Sequence, residues 1–193
     1  MSIWFAKGII LAATVVMVAI RAPHGQRSRT VPVVVNRQGR LEVILLTCMW
    51  VSFLVPIVWI ATPALRFSDY PLHPVAFASG ALCFGLSLWM FFRSHADLGR
   101  NWSISLEVRE KHEVVTVGVY RSIRHPMYSS LLLYAVGQAL ALPNWIAGPA
   151  YLLAMLVLIA ARIGPEERMM LDKFGDEYRA YMGRTRRLIP GVW

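Results

Sequence analysis

The chain has 193 residues, 56% hydrophobic and 16% charged, with seven tryptophans and a net charge of +9. That balance lies outside the soluble globular range and predicts that most of the chain is solvated by lipid. The positive charge does not point to nucleic acid, because the basic residues fall in short segments between apolar runs and no RNP, zinc or helix-turn-helix pattern is present.

Apolar segments follow one another at 3–20, 41–62, 73–92, 129–142 and 145–163. A hydrocarbon core of ~30 Å needs roughly 20 helical residues, so the first three and the last are long enough to span, while the fourth is short and must borrow from its flanks or sit recessed. Pro143 and Asn144 supply a turn between the fourth and fifth segments. The first segment is read as a retained helix rather than a signal peptide: only Lys7 precedes its apolar stretch, and no small-x-small cleavage site follows. Cys48 and Cys83 each lie inside an apolar run with no CxxC partner, which reads as packing rather than a disulfide or thiolate metal site; no metal is expected.

Eighteen of the twenty basic residues fall between residues 21 and 40, between 93 and 124, or from 162 onward, leaving only Lys7 and Arg66. With five spans, this alternation predicts an external N-terminus and a cytoplasmic C-terminus. After the fifth segment, PEERMMLDKFGDEYRAYM opens with Pro165 at a first helical position and two glutamates suited to a helix N-terminus. Glu167 shares an apolar stripe with Leu171, Phe174 and Tyr178, whereas Glu166 shares its face with Met170, Lys173 and Glu177. Gly175 is expected to bend or end that helix.

The densest polar chemistry is GVYRSIRHPMYSS, residues 118–130, immediately before the fourth apolar segment. Ionisable groups at membrane depth are costly and by default line a polar cavity, which singles out Arg121, Arg124, His125 and Glu167. Taken singly, each arginine also reads as a lipid-headgroup contact, His125 as an interfacial cap before Pro126, and Glu166 as a complement to the helix dipole. In the preceding loop, Trp102 reads as an interfacial anchor and His112 as a solvated histidine. Asn101-Trp102-Ser103 matches a glycosylation acceptor but falls on the predicted cytoplasmic side. No metal motif, nucleophile elbow or Gly-rich phosphate loop is present. Residue patterns alone therefore reach a five-helix membrane protein with a polar cytoplasmic pocket.

LGRNWS (98–103), HEVVTVGVYRSIRHPMY (112–128), EERMMLDKFGDEYRAY (166–181) and RTRRLIP (184–190), in this order and spacing, resemble the isoprenylcysteine carboxyl methyltransferase family and its relatives among phospholipid methyltransferases. One departure is Ser130, where the family usually has glycine. The resemblance implies an all-α integral membrane enzyme: three N-terminal helices (1–92), a cytoplasmic loop with the cofactor motif (93–128), a helical hairpin (129–163), and a C-terminal cytoplasmic helix and tail (164–193) closing a cofactor pocket. It also implies S-adenosyl-L-methionine as cofactor, enclosed by His112, Val114, Val115, Gly118, Tyr120, Arg124, His125, Pro126, Tyr128 and Glu167. Arg121 or the more distant Arg100 would clamp an acceptor carboxylate.

The expected reaction is methyl transfer to a lipophilic acceptor entering from the bilayer, most naturally an isoprenylcysteine-like carboxylate. The protein would sit among membrane lipids of a prokaryotic inner membrane, with its site facing the cytoplasm and no nucleic-acid partner. Phospholipid N-methylation or small-thiol S-methylation is the enzymatic alternative. A sterol-reductase-like enzyme needs more spans than this chain supplies, and a small transporter or assembly factor predicts ionisable residues spread through the spans rather than gathered at one mouth. The sequence leaves the oligomeric state open.

Overall fold

The computed structural model describes residues 2–29, 33–36, 39–99, 107–109 and 114–192, with side chains described at 2–24, 39–99 and 114–192. Five α-helices are present among these residues: α1 (Ile3–Arg29), α2 (Arg40–Ala61), α3 (Pro74–Leu98), α4 (Pro126–Ala141) and α5 (Ala150–Arg184). A short antiparallel ladder, β1 (Val33–Asn36) with β2 (Glu107–Arg109), is an addition to the all-helical expectation. It joins the α1–α2 connection to the loop after α3.

Three helices are long and apolar enough to cross a membrane: Ile3–His24 within α1, Arg40–Ala61 and Pro74–Leu98. Their outward faces carry exposed Leu11, Val15, Leu54, Val58, Leu82 and Trp89, the surface a lipid-solvated helix presents. The fourth helix has 16 residues, about 24 Å at 1.5 Å per residue, and is short of a full span. Instead it is buried, with Leu131, Tyr134, Ala135, Gln138 and Ala141 all enclosed.

Close approach of α3 to α4 is made possible by glycine. A Cβ on Gly80 would meet Gly137 O and the Ala141 side chain at 2.8 Å, and one on Gly137 would meet Gly80 O at 3.0 Å. Small residues facing each other let helix backbones approach and gain dispersion contacts where no hydrophobic effect separates helix from lipid. Beside this seam, Phe84 and Phe53 pack on Tyr134 at ring-centroid distances of 4.8 and 5.8 Å, and Phe53 also meets Tyr151 at 5.3 Å. Tyr134 is satisfied inside this apolar stack by the Thr14 hydroxyl at 2.9 Å.

The Pro143–Asn144 turn forms as expected, and Asn144 organises it. Its amide nitrogen donates to Leu65 O and Asp69 Oδ1, each at 2.7 Å, while its Oδ1 accepts from the backbone N–H groups of Ile146 and Ala147. Residues 145–149 are consumed by this turn, so α5 begins at Ala150 rather than Trp145.

One sequence expectation about the last helix needs correction and another is met. Pro165 does not start a new helix: α5 runs through it for 35 residues, so the fifth apolar segment and the C-terminal amphipathic segment are one element. Gly164 precedes Pro165, and the helix tolerates the lost N–H there. The bend occurs at Gly175, whose φ of 51° places it in the left-handed region open to glycine.

Candidate active site

The residues that bring α4, α5 and the tail together are those of the RHPxY stretch. Gly118–Arg121 forms a 3-10 turn, and Gly118 has φ of 59°. A Cβ there would lie 1.9 Å from Asp97 Oδ2, so glycine is required both by conformation and by space. Asp97, at the end of α3, accepts from the Val119 N–H at 2.9 Å and pairs with Arg93 at 3.1 Å. Sequence reading missed Asp97; a carboxylate 21 residues before a glycine carries no local signal.

Tyr120 is buried, and its carbonyl accepts from the Tyr181 hydroxyl at 2.7 Å. Burial, then the nearby Glu166 carboxylate, pushes the Tyr120 hydroxyl well above its ordinary pKa, so it stays protonated. Burial likewise raises Tyr181 to about 12 despite the lowering effect of Arg124 and Arg184. The tail meets the loop in extended form: Ile123 bridges Arg186, Arg124 N donates to Arg186 O at 2.7 Å, and His125 N donates to Arg187 O at 3.0 Å. RTRRLIP is therefore the strap that holds the RHP backbone in place.

Pro126 occupies the first helical position of α4, where its missing N–H costs nothing. Ser130, the departure from the family glycine, is fully buried; its hydroxyl donates to Met127 O and its carbonyl accepts from Ser87 Oγ, each at 2.7 Å. The extra hydroxyl is absorbed within the α3–α4 seam.

At the centre stands Glu167, only 4% exposed, on the predicted buried stripe with Tyr178. Arg124 Nε donates to its Oε1 at 2.8 Å, His125 Nε2 lies 3.4 Å from the same oxygen, and Arg187 Nε and Nη2 donate to Oε2 at 3.1 and 2.9 Å. Arg124 also donates to the Met182 and Thr185 carbonyls, capping the end of α5. Burial alone would raise the Glu167 pKa, but hydrogen bonds from His125, Arg187 and Arg124 outweigh it and hold the carboxyl at about 2.

A depressed carboxylate contributes stability in full above its unfolded pKa, roughly 4.3. That contribution is lost as pH falls toward 2. Acid titration of tryptophan fluorescence is expected to show a loss of stability between about pH 4.5 and 2 that is shallower in Glu167→Gln.

Glu166 faces another way. It is half-buried, accepts from the Tyr128 hydroxyl at 2.7 Å, and lies 4.0 Å from His125 Nδ1. His125 and Tyr128 are stacked at 5.6 Å with an interplanar angle of 27°. One turn earlier, Arg162 lies 6.0 Å from the Tyr128 ring centroid and pairs at 3.2 Å with Glu42 of α2, both ions being more than 90% buried. Sequence reading counted Arg162 only as a topology charge and gave Glu42 no role. The available signal was an ionisable residue inside each apolar helix.

Among the expected acceptor clamps, Arg121 is exposed on the 3-10 turn and makes no ion pair among the described residues, and Arg100 lies outside the described residues, as does His112. Val114 and Val115 are half-buried and lie outside regular secondary structure, ahead of Gly118. Among the described residues no cluster of His, Cys, Asp or Glu is arranged to hold a metal.

This arrangement has known counterparts. Residues 79–172, from α3 to the middle of α5, match the family model for isoprenylcysteine carboxyl methyltransferase. Protein-S-isoprenylcysteine O-methyltransferase B of Arabidopsis thaliana is 35% identical over 96 residues, covering 49% of each chain. The enzyme of the same name from Schizosaccharomyces pombe is 32% identical over 132 residues, 65% of this chain and 56% of the relative. A solved structure of the eukaryotic intramembrane Ras methyltransferase ICMT superposes with a TM-score of 0.55 at 27% identity, covering 82% of this chain and 55% of that one. The chain thus spans about half the length of the relatives it matches. The family model takes in Arg124, His125 and Glu167, while α1, α2 and the tail that carries Arg187 lie outside it, and the apolar helices make the chain an integral membrane protein. The matched segment, the relatives and the fold together liken the chain, over residues 79–172, to the isoprenylcysteine carboxyl methyltransferase (ICMT) family.

Proposed function

We propose that the chain is an S-adenosylmethionine-dependent methyltransferase that esterifies the carboxylate of a lipophilic, isoprenylcysteine-like acceptor. The observation that carries this reading is the convergence of Arg124, His125 and Tyr128 with Glu166, Glu167 and Arg162 at one end of the apolar helices. The reading places that end at the cytoplasmic face of a prokaryotic inner membrane, with the N-terminus outside.

The residues suit a cofactor carrying an ammonium, a carboxylate, a ribose and an adenine. Glu166 is a half-buried carboxylate steadied by Tyr128, and the stacked His125–Tyr128 pair offers an aromatic wall. Half-buried backbone at Val114–Thr116 lies outside regular secondary structure and leads to the Gly118 turn. Because Glu167 is saturated by Arg124, His125 and Arg187, its role is to position them, and Glu166 is the carboxylate that meets the cofactor. When bound, S-adenosylmethionine supplies an electrophilic methyl on a sulfonium.

The chain's own work is orientation and exclusion of water, which together account for much of the barrier reduction in a displacement of this kind. A guanidinium fixes an acceptor carboxylate bidentately, and the buried Arg162, beside the Tyr128 ring and paired with Glu42, is the one the reading assigns to it. The exposed Arg121 is a poorer clamp.

S-adenosylhomocysteine titrated into the purified chain is expected to bind saturably, and radiolabelled methyl is expected to pass to an S-farnesylcysteine derivative with a free carboxylate. A carboxylate of pKa about 4 is already ionised, so the single-turnover rate should be flat from about pH 6.5 to 8.5. A log-linear rise with pH, abolished in His125→Ala, would favour amine or thiol methylation instead.

A further inference from the structure

The two basic residues left over by the charge pattern, Lys7 and Arg66, meet in one place. With Ile3, Trp4, Trp59 and Asp69 they line a cavity of about 180 Å³ at the N-terminal end of α1 and the C-terminal end of α2, opposite the end that carries the Glu167 cluster. Cations on that side run against the charge asymmetry that orients membrane proteins. Two converging on a single cavity call for a local reason.

The cavity is built around the Lys7 ammonium. One of its donors goes to Ile60 O at 3.0 Å, and the group lies 5.2 Å from the Trp4 ring centroid and 5.4 Å from that of Trp59. Trp59 is 2% exposed and is fixed by its indole N–H, which donates to Asp69 Oδ1 at 2.7 Å. Asp69 also accepts from Asn144, so it is held by neutral donors. Neither Lys7 nor Arg66 forms an ion pair with Asp69 or any other acid among the described residues. The three charged groups leave the cavity with one net positive charge, aromatic walls and spare N–H donors. That combination complements a phosphate group presented at the boundary between lipid and water.

We infer that this cavity is a phosphate-binding site, with the phosphodiester of a glycerophospholipid headgroup in the adjoining leaflet held between Lys7 and Arg66. The exposed Trp4 would pack on the glycerol and the first acyl carbons, as interfacial tryptophans do, with the buried Trp59 as the cavity's floor. The site does not depend on the proposed reaction and lies at the other face of the helix bundle.

The test uses the full chain purified in detergent, with thermal unfolding followed against dioctanoyl-phosphatidylglycerol, inorganic phosphate and dioctanoylglycerol, which lacks phosphate. The expected result is a saturable rise in unfolding temperature with the phospholipid but not with dioctanoylglycerol. Apparent affinity should fall about tenfold in Arg66→Gln and in Lys7→Gln, and be retained in Arg66→Lys. Arg66 is exposed, so its replacement leaves the fold intact. Saturation by the phospholipid alone assigns the site to a lipid headgroup; competition by inorganic phosphate assigns it to phosphate from either source. Unchanged affinity in Arg66→Gln, or an equal response to dioctanoylglycerol, overturns the inference.

Discussion

Glu167→Gln is expected to lower the unfolding temperature of the purified chain by roughly 6–20 °C, while Glu166→Gln moves it little. The difference follows from what each carboxylate neutralises. Removing the Glu167 charge leaves Arg124 buried beside a neutral amide and weakens the Arg187 contact, and breaking a buried pair on one side costs about 3–5 kcal/mol. At this chain length each kcal/mol is worth roughly 2–4 °C. Glu166 sits half-buried at the open side, and a glutamine there still accepts from Tyr128.

Cofactor affinity should show the reverse order once measured on folded protein. Glu166→Gln removes a charge-assisted contact worth about 1.5–3 kcal/mol. Titration calorimetry with S-adenosylhomocysteine, run beside the thermal melts, separates the two roles. Equal melting of both variants would remove Glu167 from its place as the ionic hub, and unchanged affinity in Glu166→Gln would remove Glu166 from the cofactor.

Arg162→Gln should destabilise the chain by a similar amount, because it leaves Glu42 as a buried charge between α2 and α5. Glu42→Gln combined with Arg162→Gln is then expected to recover most of that loss, since two neutral amides replace the pair. Residues in direct contact commonly show coupling of about 0.5–3 kcal/mol in such cycles. Turnover should not recover with stability. If Arg162 clamps the acceptor carboxylate, the double variant folds and binds S-adenosylhomocysteine as the parent does, yet its KM for an S-farnesylcysteine substrate rises by an order of magnitude or more. A double variant with parental KM would leave the pair a purely structural tie between the two helices.

Much of this protein follows from local order along the chain. Apolar runs of about 20 residues have one low-energy solution in lipid, a helix with every backbone group bonded internally, so the three helices long and apolar enough to span among the described residues are readable from composition, whereas the 145–163 segment, also read as a span, is not among them. The short fourth segment, the turn at Pro143–Asn144 and the kink at Gly175 were equally legible, because length and the conformational ranges of proline, asparagine and glycine act within a few residues. The i, i+4, i+7, i+11 spacing also put Glu167 and Tyr178 on one stripe, and both are buried.

Which groups meet was decided only when the helices packed. Glu42 and Arg162 are 120 positions apart, Asp97 closes a turn 21 residues away, and Arg187 reaches Glu167 only because the tail pairs with residues 122–125. Pro165 shows the same limit from the other direction. Its local preference for a helix start is outweighed by the packing of α5 against α2 and α4, which carries the helix through Pro165 as far as the kink at Gly175. Charge partners in lipid are chosen by desolvation, and desolvation depends on neighbours that a local pattern does not contain.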